Sequence, residues 1–444
     1  MSLRQKIEQE IRERGPIPFS RYMELCLYDP ELGYYARDAE KFGKGGDFYT
    51  SSDVHAVFGR LLARQFEEMW RALGAPQNIE IVELGPGRGL FAQDVLDWSE
   101  KKFPDFYRAL RYTLVETSPS LRQKLGTTLR DQIAAGKVIV LAQNEDSSVN
   151  ASFRNNSPLP TGEDARRSTD RAIPSSHAGV AAETPGTEQP HRETKKRHER
   201  EGHGFSRADK PPVLTRALAR EAPAIVFANE FFDALPVEIL SEKGSLRVAT
   251  RDGRFIEEWT AASADELEYL DRYGVHPSEG ARTEVARLAR QRLEQIAGSI
   301  ECGFLIAIDY GYTREQQLAG RHLDTLLTYR RHATSPNPYA APGEQDITAH
   351  VNFTALAAAA EQNGMQAHQL LTQSQFLLGI GEATQFADAF EECRLPQERA
   401  KVALQLKHLI TPEGMGETFQ VMVASKGVGQ DSMRTLSGLS FVTR

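Results

Sequence analysis

Short apolar runs recur along the chain and alternate with longer segments whose apolar residues fall at helical spacing. Short runs that are mainly apolar are typical of strands that are buried on both faces of a parallel sheet. Strands that alternate with helices in this way predict an α/β fold with a Rossmann-like, mostly parallel sheet. The runs that predict strands are residues 79–84, 112–116, 137–141, 224–228, 304–309 and 417–424.

Other periodicities predict helices and a smaller sheet. Alternating apolar and polar residues predict three further strands, and the turn-forming pair Asp252-Gly253 between the last two predicts a hairpin within a small antiparallel addition. These strands are residues 237–240, 246–250 and 255–259. Apolar residues three and four apart predict helices, which begin near Leu3 and Phe19 and cover residues 53–73, 281–296 and 354–362.

One long segment lacks both patterns. Residues 144–212 are rich in Ser, Thr, Asn, Arg, Glu, Pro and His, with hardly any apolar residues. Such a segment buries too little surface to offset an ordering entropy of ~1–2 kcal/mol per residue, so we expect a disordered insertion. Its basic cluster, residues 195–198, is interpreted as a solvated charge run, with binding of an acidic partner as the alternative. The chain is thereby divided into N-terminal helices with a candidate lid loop (1–78), the first half of a cofactor-binding core (79–143), the insertion (144–212), and the second half with substrate-side additions (213–444).

The turn after the first predicted strand carries glycines at alternate positions, Gly85, Gly87 and Gly89, preceded by Glu83. A strand, a glycine turn and a helix in succession let the backbone approach a ligand closely, with free N–H groups aimed at it. Dinucleotide sites have the spacing G-x-G-x-x-G, whereas E-x-G-x-G-x-G is associated with enzymes that use S-adenosyl-L-methionine (SAM). Glu116 ends the second predicted strand, where a carboxylate can accept both ribose hydroxyls of an adenosine. These residues predict a SAM site; a structural turn and a solvated glutamate are the alternative.

The residues after the fourth predicted strand are Asn229, Glu230, Phe231, Phe232 and Asp233. They resemble the Asn-Pro-Pro-Tyr type tetrapeptide of amino-group methyltransferases, with Glu230 in place of the first proline. An amide carbonyl can orient an N–H group, aromatic faces can hold a cation by ~0.5–2 kcal/mol each, and carboxylates pair with a guanidinium fork. We therefore predict Asn229, Glu230 and Asp233 as catalytic residues. Alternatively, Asp233 caps a helix and both phenylalanines belong to the core.

Five more polar or aromatic residues are candidates for the substrate pocket. Asp309 and Tyr310 follow the fifth predicted strand, and we consider Asp309 a reserve carboxylate for the chemistry. Asp346 and His350 lie in a polar stretch and are expected to pair in a cleft, although a single histidine beside apolar residues is more often packed than catalytic. Asp47 lies in the glycine-rich loop of residues 43–52, which is interpreted as a lid over the cofactor or as an ordinary connector.

Composition narrows the classes of function. A net charge of −8 over 444 residues argues against a nucleic-acid binder that relies on bulk electrostatics. The three cysteines are far apart and show no disulfide framework or metal spacing, which suits a reducing cytoplasm and predicts no metal site. The first residues include acids and lack an apolar signal core, and no apolar run approaches the ~18 residues that a membrane span needs. We therefore expect a cytoplasmic protein without membrane insertion.

Together these motifs resemble the MidA-like family of class I SAM-dependent methyltransferases, whose mitochondrial members are complex I assembly factors that methylate arginine on a subunit of that complex. The resemblance implies a seven-stranded sheet with added helices on the substrate side, SAM as donor, and a protein arginine as the leading acceptor. Two departures are Thr50-Ser51-Ser52-Asp53, where the family usually has Thr-Ala-Pro-Glu, and Asn352, where it commonly has Asp. The matching stretches are residues 27–30, 33–35, 46–48, 83–89, 229–237, 309–312, 346–353 and 415–417 with Phe419.

Three hypotheses for the function follow. The first is a SAM-dependent N-methyltransferase that acts on arginine in a protein, for which the resemblance implies a respiratory-complex subunit as partner. The second is a SAM-binding assembly factor or scaffold with little catalysis. The third is a nicotinamide oxidoreductase, against which the glycine spacing argues. The sequence leaves open whether the protein forms a homodimer.

Overall fold

The computed structural model of the protein describes residues 1–37, 56–142, 222–330 and 333–441. All of these residues belong to one compact unit. The candidate lid loop with Asp47, the long polar insertion and its basic cluster lie outside the described residues, so the predictions made for them stay predictions.

The described strands, in chain order, are β1 (Ile17–Pro18), β2 (Ile79–Leu84), β3 (Leu110–Val115), β4 (Val138–Leu141), β5 (Ala224–Asn229), β6 (Glu238–Ser241), β7 (Gly244–Arg251), β8 (Arg254–Thr260), β9 (Thr283–Val285), β10 (Gly303–Tyr312), β11 (Leu327–Arg330), β12 (Ala333–Ser335), β13 (Asp346–Thr348), β14 (Val351–Asn352), β15 (Gln366–Ala367), β16 (Leu371–Thr372) and β17 (Phe419–Lys426). The described helices are α1 (Leu3–Arg14), α2 (Phe19–Tyr28), α3 (Ala56–Ala72), α4 (Leu90–Lys102), α5 (Pro104–Ala109), α6 (Pro119–Thr128), α7 (Arg130–Ala134), α8 (Ala264–Tyr273), α9 (Arg287–Ser299), α10 (Arg314–Leu318), α11 (Phe353–Gln362), α12 (Gln373–Glu382), α13 (Ala387–Phe390), α14 (Pro396–Ile410) and α15 (Gln430–Met433). Two short 3₁₀ helices add Tyr34–Ala36 and Ser437–Leu439.

The largest sheet confirms the predicted mostly parallel α/β fold. Its parallel strands lie in the order β4-β3-β2-β5-β10, and β17 pairs antiparallel with the other side of β10. The short strands β15 and β16 both pair antiparallel with β17, at different points along its length. Together they form the edge of the sheet next to β17. Strands before and after the polar insertion therefore build one sheet.

Both faces of this sheet are covered, which explains why its parallel strands are largely apolar on both faces. Val82 and Val226 pack on one face, in a core shared with α1, α2, α9 and α11. Ile81 and Ile225 pack on the other face with α3 and α4. There the rings of Phe91 and Phe227 stack with centroids 4.5 Å apart. The alternation along each strand thus assigns successive residues to two separate cores.

A second, smaller sheet is antiparallel throughout. Strands β1, β7, β6 and β9 pair in that order, and β8 pairs with β7. The predicted hairpin is confirmed, because β7 and β8 pair antiparallel around Asp252-Gly253, where both residues have positive φ. A third sheet, β12-β11-β13, was not predicted from the sequence.

Most predicted boundaries differ from the structure by one or two residues, and those of one helix and one strand are wrong by more. The helix expected at residues 281–296 begins only at Arg287, because β9 precedes it and pairs with β6. The fifth strand of the core was expected to end at Asp309, but β10 continues to Tyr312, since β17 pairs as far as Tyr310 and β14 pairs with the last two residues. Asp309 therefore lies inside the strand rather than at its end.

No helix in the described parts of the chain is both long and apolar enough to cross a membrane.

Candidate active site

A cavity of about 400 Å³ opens at the carboxyl ends of the parallel strands. The turns after β2, β3 and β5 form its floor, which is where ligands bind in open α/β sheets. Residues from the N-terminal helices and from the segments around β11, β13 and α14 complete the wall. The residues that line the cavity include Tyr28, Tyr35, Glu83, Gly85, Gly87, Glu116, Asn229, Glu230, Phe231, Asp233, Tyr310, Asp346 and His350.

The three glycines of the turn after β2 have different structural roles. Gly87 has a φ of +54°, and a Cβ atom placed on it would meet nothing within 4 Å, so its backbone faces open space in the cavity wall. Gly89 has a φ of +78°, and a Cβ atom there would lie 2.7 Å from Leu125 Cδ2 of α6. Gly89 therefore serves the packing between helices. Gly85 lies against the ring of Phe231, whose Cδ2 would be 3.2 Å from an added Cβ.

Two buried carboxylates, Glu83 and Glu116, line the cavity beside this turn. The Tyr112 hydroxyl donates to Glu83 Oε2 over 2.9 Å, and the backbone N–H of Ser118 donates to Glu116 Oε1 over 2.8 Å. Burial raises the pKa of Glu83 to about 8, against the hydrogen bond from Tyr112. Burial likewise raises the pKa of Glu116 to about 7, against backbone N–H donors that include Ser118. A ligand that donates hydrogen bonds to these oxygens would stabilise their ionised forms.

The segment after β5 is held in place by Asp309, which is 1% exposed. Its Oδ2 accepts hydrogen bonds from the backbone N–H groups of Phe231, Phe232 and Asp233 over 3.2, 3.0 and 3.3 Å. Its Oδ1 accepts from the N–H of Tyr310 over 3.1 Å. Burial and the nearby charge of Asp233 raise the pKa of Asp309, and the backbone donors oppose that rise. Asp309 thus fixes the backbone that presents the proposed catalytic residues.

Asn229 and Glu230 form the first corner of this segment. Glu230 has a φ of +51°, a conformation that L-residues adopt at a cost of about 1–2 kcal/mol. Its N–H donates to Ile308 O over 2.9 Å, which ties the strained corner to β10. Asn229 Nδ2 donates to Glu230 Oε1 over 3.0 Å. Asn229 Oδ1 is buried and has no hydrogen-bond partner among the described residues, so it is an acceptor without a donor.

Asp233 and Tyr310 form a buried pair. The Tyr310 hydroxyl donates a hydrogen bond to Asp233 Oδ2. Asp233 Oδ1 is also buried, and the described parts of the chain supply no partner for it. Burial raises the pKa of Asp233 to about 6, while the hydrogen bond from Tyr310 opposes the rise. The Ala349 N–H donates to the backbone carbonyl of Asp233 over 3.1 Å, which brings the segment around β13 to this side of the cavity.

Asp346 and His350 do not form the pair with each other that the sequence suggested. Asp346 is buried, and its Oδ1 accepts from the Tyr35 hydroxyl over 3.1 Å and from the Ile347 N–H over 3.0 Å. His350 Nδ1 lies 3.2 Å from Nδ1 of His322, so one ring donates to the other. Burial lowers the pKa of His350 to about 4, and the neighbouring His322 adds to this effect. His350 is therefore neutral at physiological pH.

The structure brings most of the predicted site residues to one cavity, with three exceptions in the part of the chain that it describes. Gly89, Phe232 and Asp309 are absent from the cavity lining, and Phe232 is a core residue that is 3% exposed. Asn352, which stands where the family commonly has Asp, is not among the lining residues either; its side chain accepts from the Ala355 N–H at the start of α11 and donates to Tyr273 O. The lining also includes residues that were not predicted as site residues, among them Tyr28, Tyr35, Arg88, Tyr329, His408, Met415 and Thr418.

The residues present fit an adenosine-containing cofactor. Gly87 leaves open space where a side chain would stand. The Glu116 carboxylate lies at the end of β3, where it can accept two ribose hydroxyls. The volume of about 400 Å³ lies within the range of ligand sites. In the described residues, no group of three or more His, Cys, Asp or Glu side chains is arranged to hold a metal ion.

Relatives with known names cover nearly the whole chain. The chain is 28% identical to "Protein arginine methyltransferase NDUFAF7 homolog, mitochondrial" of Drosophila melanogaster, over 96% of this chain and 85% of the relative. It is 25% identical to "Protein arginine methyltransferase NDUFAF7, mitochondrial" of Homo sapiens, over 92% of this chain and 80% of the relative. The cytoplasmic location expected from the sequence is contradicted by these names, which place the relatives in mitochondria.

A solved structure and a family model identify the chemistry. A Burkholderia thailandensis protein with bound S-adenosyl-homocysteine superposes with a TM-score of 0.70 at 26% identity, covering 99% of this chain and 94% of that one. The model for a family of S-adenosyl-L-methionine-dependent methyltransferases matches residues 61–371, which is more than half of the chain. The chain therefore belongs to this family of SAM-dependent methyltransferases, and SAM is its cofactor.

Proposed function

We propose that the protein methylates a nitrogen of an arginine side chain in a protein substrate. The observation that carries this proposal is the pair of buried acceptor oxygens, Asn229 Oδ1 and Asp233 Oδ1, which have no donor among the described residues. A buried acceptor without a partner costs about 1–3 kcal/mol, and the N–H groups of a guanidinium would remove that cost. The relatives in fly and human that carry the name protein arginine methyltransferase support the same acceptor.

The charges of the cavity favour a guanidinium over a neutral acceptor. Glu230, Asp233 and Asp346 line its acceptor side, and Phe231 and Tyr310 add aromatic rings there. A guanidinium presents five N–H donors in a rigid plane and pairs with carboxylates along two edges, whereas an ammonium is a compact point charge. Several carboxylates and an amide oxygen around one small space therefore suit arginine better than lysine.

On the opposite side of the cavity, we propose that the cofactor is held by Glu83, Gly85, Gly87 and Glu116, with Gly89 acting through helix packing. Glu116 would accept the ribose hydroxyls, and the open face at Gly87 would admit the adenosine. When bound, the cofactor supplies an electrophilic methyl group on a sulfonium sulfur.

The acceptor nitrogen must lose a proton as it becomes methylated. Asp233 has an oxygen available to take that proton, and with a pKa near 6 it is mostly ionised at neutral pH. Tyr310 holds the other oxygen, so the carboxylate cannot rotate freely. Asn229 would orient the guanidinium through its carbonyl, and Glu230 would draw positive charge toward the nitrogens that do not react. Rate acceleration then comes chiefly from positioning.

The test is an assay with isotopically labelled SAM and a set of protein acceptors, which by family resemblance should include subunits of respiratory complex I. We expect label in methylarginine after acid hydrolysis, and no label when the target arginine of the acceptor is replaced by lysine. Asp233→Asn and Glu230→Gln should lower turnover by at least about 100-fold, while the exposed substitution Asp431→Asn should not. Tight binding of SAM without labelled product from any acceptor would favour a scaffold role instead.

A further inference from the structure

Tyr35 spans the cavity from the cofactor side to the acceptor side. It lies in the short 3₁₀ helix Tyr34–Ala36, and it lines the cavity. Its phenol hydroxyl donates to Asp346 Oδ1 over 3.1 Å, on the proposed acceptor side. Its backbone carbonyl accepts from Ser118 Oγ over 2.7 Å, beside the turn after β3. The two ends of one residue thus touch the two halves of the site.

Ser118 extends this connection to the proposed cofactor carboxylate. Its backbone N–H donates to Glu116 Oε1 over 2.8 Å, and its hydroxyl accepts from the Leu121 N–H at the start of α6. Both Glu116 and Leu121 line the cavity. A continuous series of hydrogen bonds therefore runs from Glu116 through Ser118 and Tyr35 to Asp346.

Tyr28 fixes the ring of Tyr35 from the other side. The two rings lie with their centroids 5.5 Å apart, and the Tyr28 hydroxyl donates to Ala234 O over 2.9 Å, in the segment that carries Asp233. The Tyr35 ring therefore packs against a residue that is itself bonded to the proposed catalytic segment. An aromatic side chain held at its ring, its hydroxyl and its backbone has little freedom left, so it can position Asp346 closely.

We propose that Tyr35 is a positioning residue that makes the binding of cofactor and acceptor cooperative. This inference rests on the proposed function, because it takes Asp346 as a carboxylate that binds the acceptor guanidinium. A ligand that fixes Glu116 also restricts Ser118 and Tyr35, and the acceptor then meets an Asp346 that is already ordered. The first ligand to bind loses the conformational entropy of ordering these side chains, and the second ligand does not lose it again. The two ligands therefore bind cooperatively without a change of fold.

The experiment measures the affinity for S-adenosyl-homocysteine by calorimetry, alone and with a saturating arginine tripeptide capped at both ends. In the wild-type protein we expect the tripeptide to raise this affinity by about fivefold, at the low end of typical coupling between sites. Tyr35→Phe keeps the ring and the backbone carbonyl and removes the hydroxyl. We expect it to leave the affinity for S-adenosyl-homocysteine alone unchanged and to abolish the gain. Tyr107→Phe, on α5 and away from the lining residues, is the matched control and should keep the gain.

Each result separates the inference from the function on which it rests. If Tyr35→Phe keeps the full gain, or if the wild-type protein binds both ligands without any gain, the coupling role of Tyr35 is refuted and arginine methylation stands. If the wild-type protein does not bind the tripeptide at all, the proposed acceptor is wrong and the inference falls with it. With a protein acceptor that the enzyme methylates, Tyr35→Phe should raise the KM for the acceptor at saturating SAM. Because coupling is reciprocal, it should raise the KM for SAM at saturating acceptor by a similar factor. A fall in kcat alone would also contradict the proposal.

Discussion

Asp309 accepts a hydrogen bond at Oδ2 from the backbone N–H of Asp233 over 3.3 Å, so one buried aspartate holds another by its main chain. The two acids have different surroundings. Asp309 accepts four backbone N–H groups in all, while Asp233 keeps one buried oxygen without a partner among the described residues. Backbone donors oppose the effect of burial on the first carboxylate, and the second retains a buried oxygen that could meet a ligand. On the proposed function, the first carboxylate supports the segment and the second takes part in catalysis.

This division predicts the effect of Asp309→Asn. An asparagine has one oxygen and one NH₂ group in place of the two carboxylate oxygens. The backbone N–H groups that donate to one of those oxygens would then face an NH₂ group, which is itself a donor. We expect the segment after β5 to shift, and a displacement of about 1 Å can lower turnover by about 100-fold. Binding of S-adenosyl-homocysteine should be retained, because Asp309 is not among the lining residues. Methyl-transfer assays and calorimetry on the same preparation test this; an active variant would show that the backbone donors are dispensable.

A second prediction concerns Gly87. A valine there would project into the open space beside the turn, and it would also be strained at a φ of +54°. Gly136 offers a control for the strain, because it has a φ of +68°, has nothing within 4 Å of an added Cβ, and lies in the turn before β4. We expect Gly87→Val to abolish binding of S-adenosyl-homocysteine and Gly136→Val to preserve it. Equal affinities in the two variants, measured by calorimetry, would refute the placement of the adenosine at Gly87.

The sequence predicted those parts of the cavity lining that are local in the chain. Gly85, Gly87 and Glu83 are recognisable because a strand, a turn and a helix follow one another within a few residues, and their geometry is set locally. Glu116 could be placed because the ends of adjacent parallel strands meet at one edge of the sheet. Once the order of the strands was inferred, these residues had to converge.

Residues that reach the site from distant segments could not be predicted in the same way. Tyr35 contacts Asp346 across more than 300 positions, and no periodicity near either residue encodes that approach. Asp309 was misinterpreted for a related reason, since only the pairing of β10 with β17 and β14 carries the strand past it. His350 was predicted to pair with Asp346 from proximity in sequence, and its actual partner, His322, comes from another loop.

The raised pKa of Glu83 predicts an effect on stability. A glutamate of ordinary pKa loses its proton near pH 4.5, but burial raises the pKa of folded Glu83 to about 8. Between these values the folded state binds more protons than the unfolded state, so this group's contribution to stability falls as the pH rises from about 4.5 to about 8. Glu83→Gln removes this dependence, and its carbonyl can still accept from Tyr112.

We therefore expect Glu83→Gln to raise the free energy of unfolding of the ligand-free protein at pH 8 by roughly 0.5–2 kcal/mol, with a smaller gain at pH 5. On the proposed cofactor role of Glu83, the same variant should bind S-adenosyl-homocysteine more weakly, because an amide lacks the ionised form that a hydrogen-bonding ligand would stabilise. Glu301→Gln, at an exposed position, is the control and should change neither quantity. Denaturant unfolding at both pH values is the measurement. A variant that is less stable than the wild-type protein at pH 8 would contradict the raised pKa of Glu83.

The last prediction uses the pH dependence of methyl transfer. Asp233 must be ionised to accept a proton, and burial raises its pKa to about 6, so kcat/KM for the acceptor should rise about tenfold per pH unit below 6 and level off above it. Saturating SAM removes the separate effect of Glu116, whose pKa is near 7. The Tyr310 hydroxyl stabilises the charged form of Asp233 and lowers its pKa, so Tyr310→Phe should move the profile to higher pH. A profile that stays in place or moves to lower pH in this variant would count against Asp233 as the group that takes the proton.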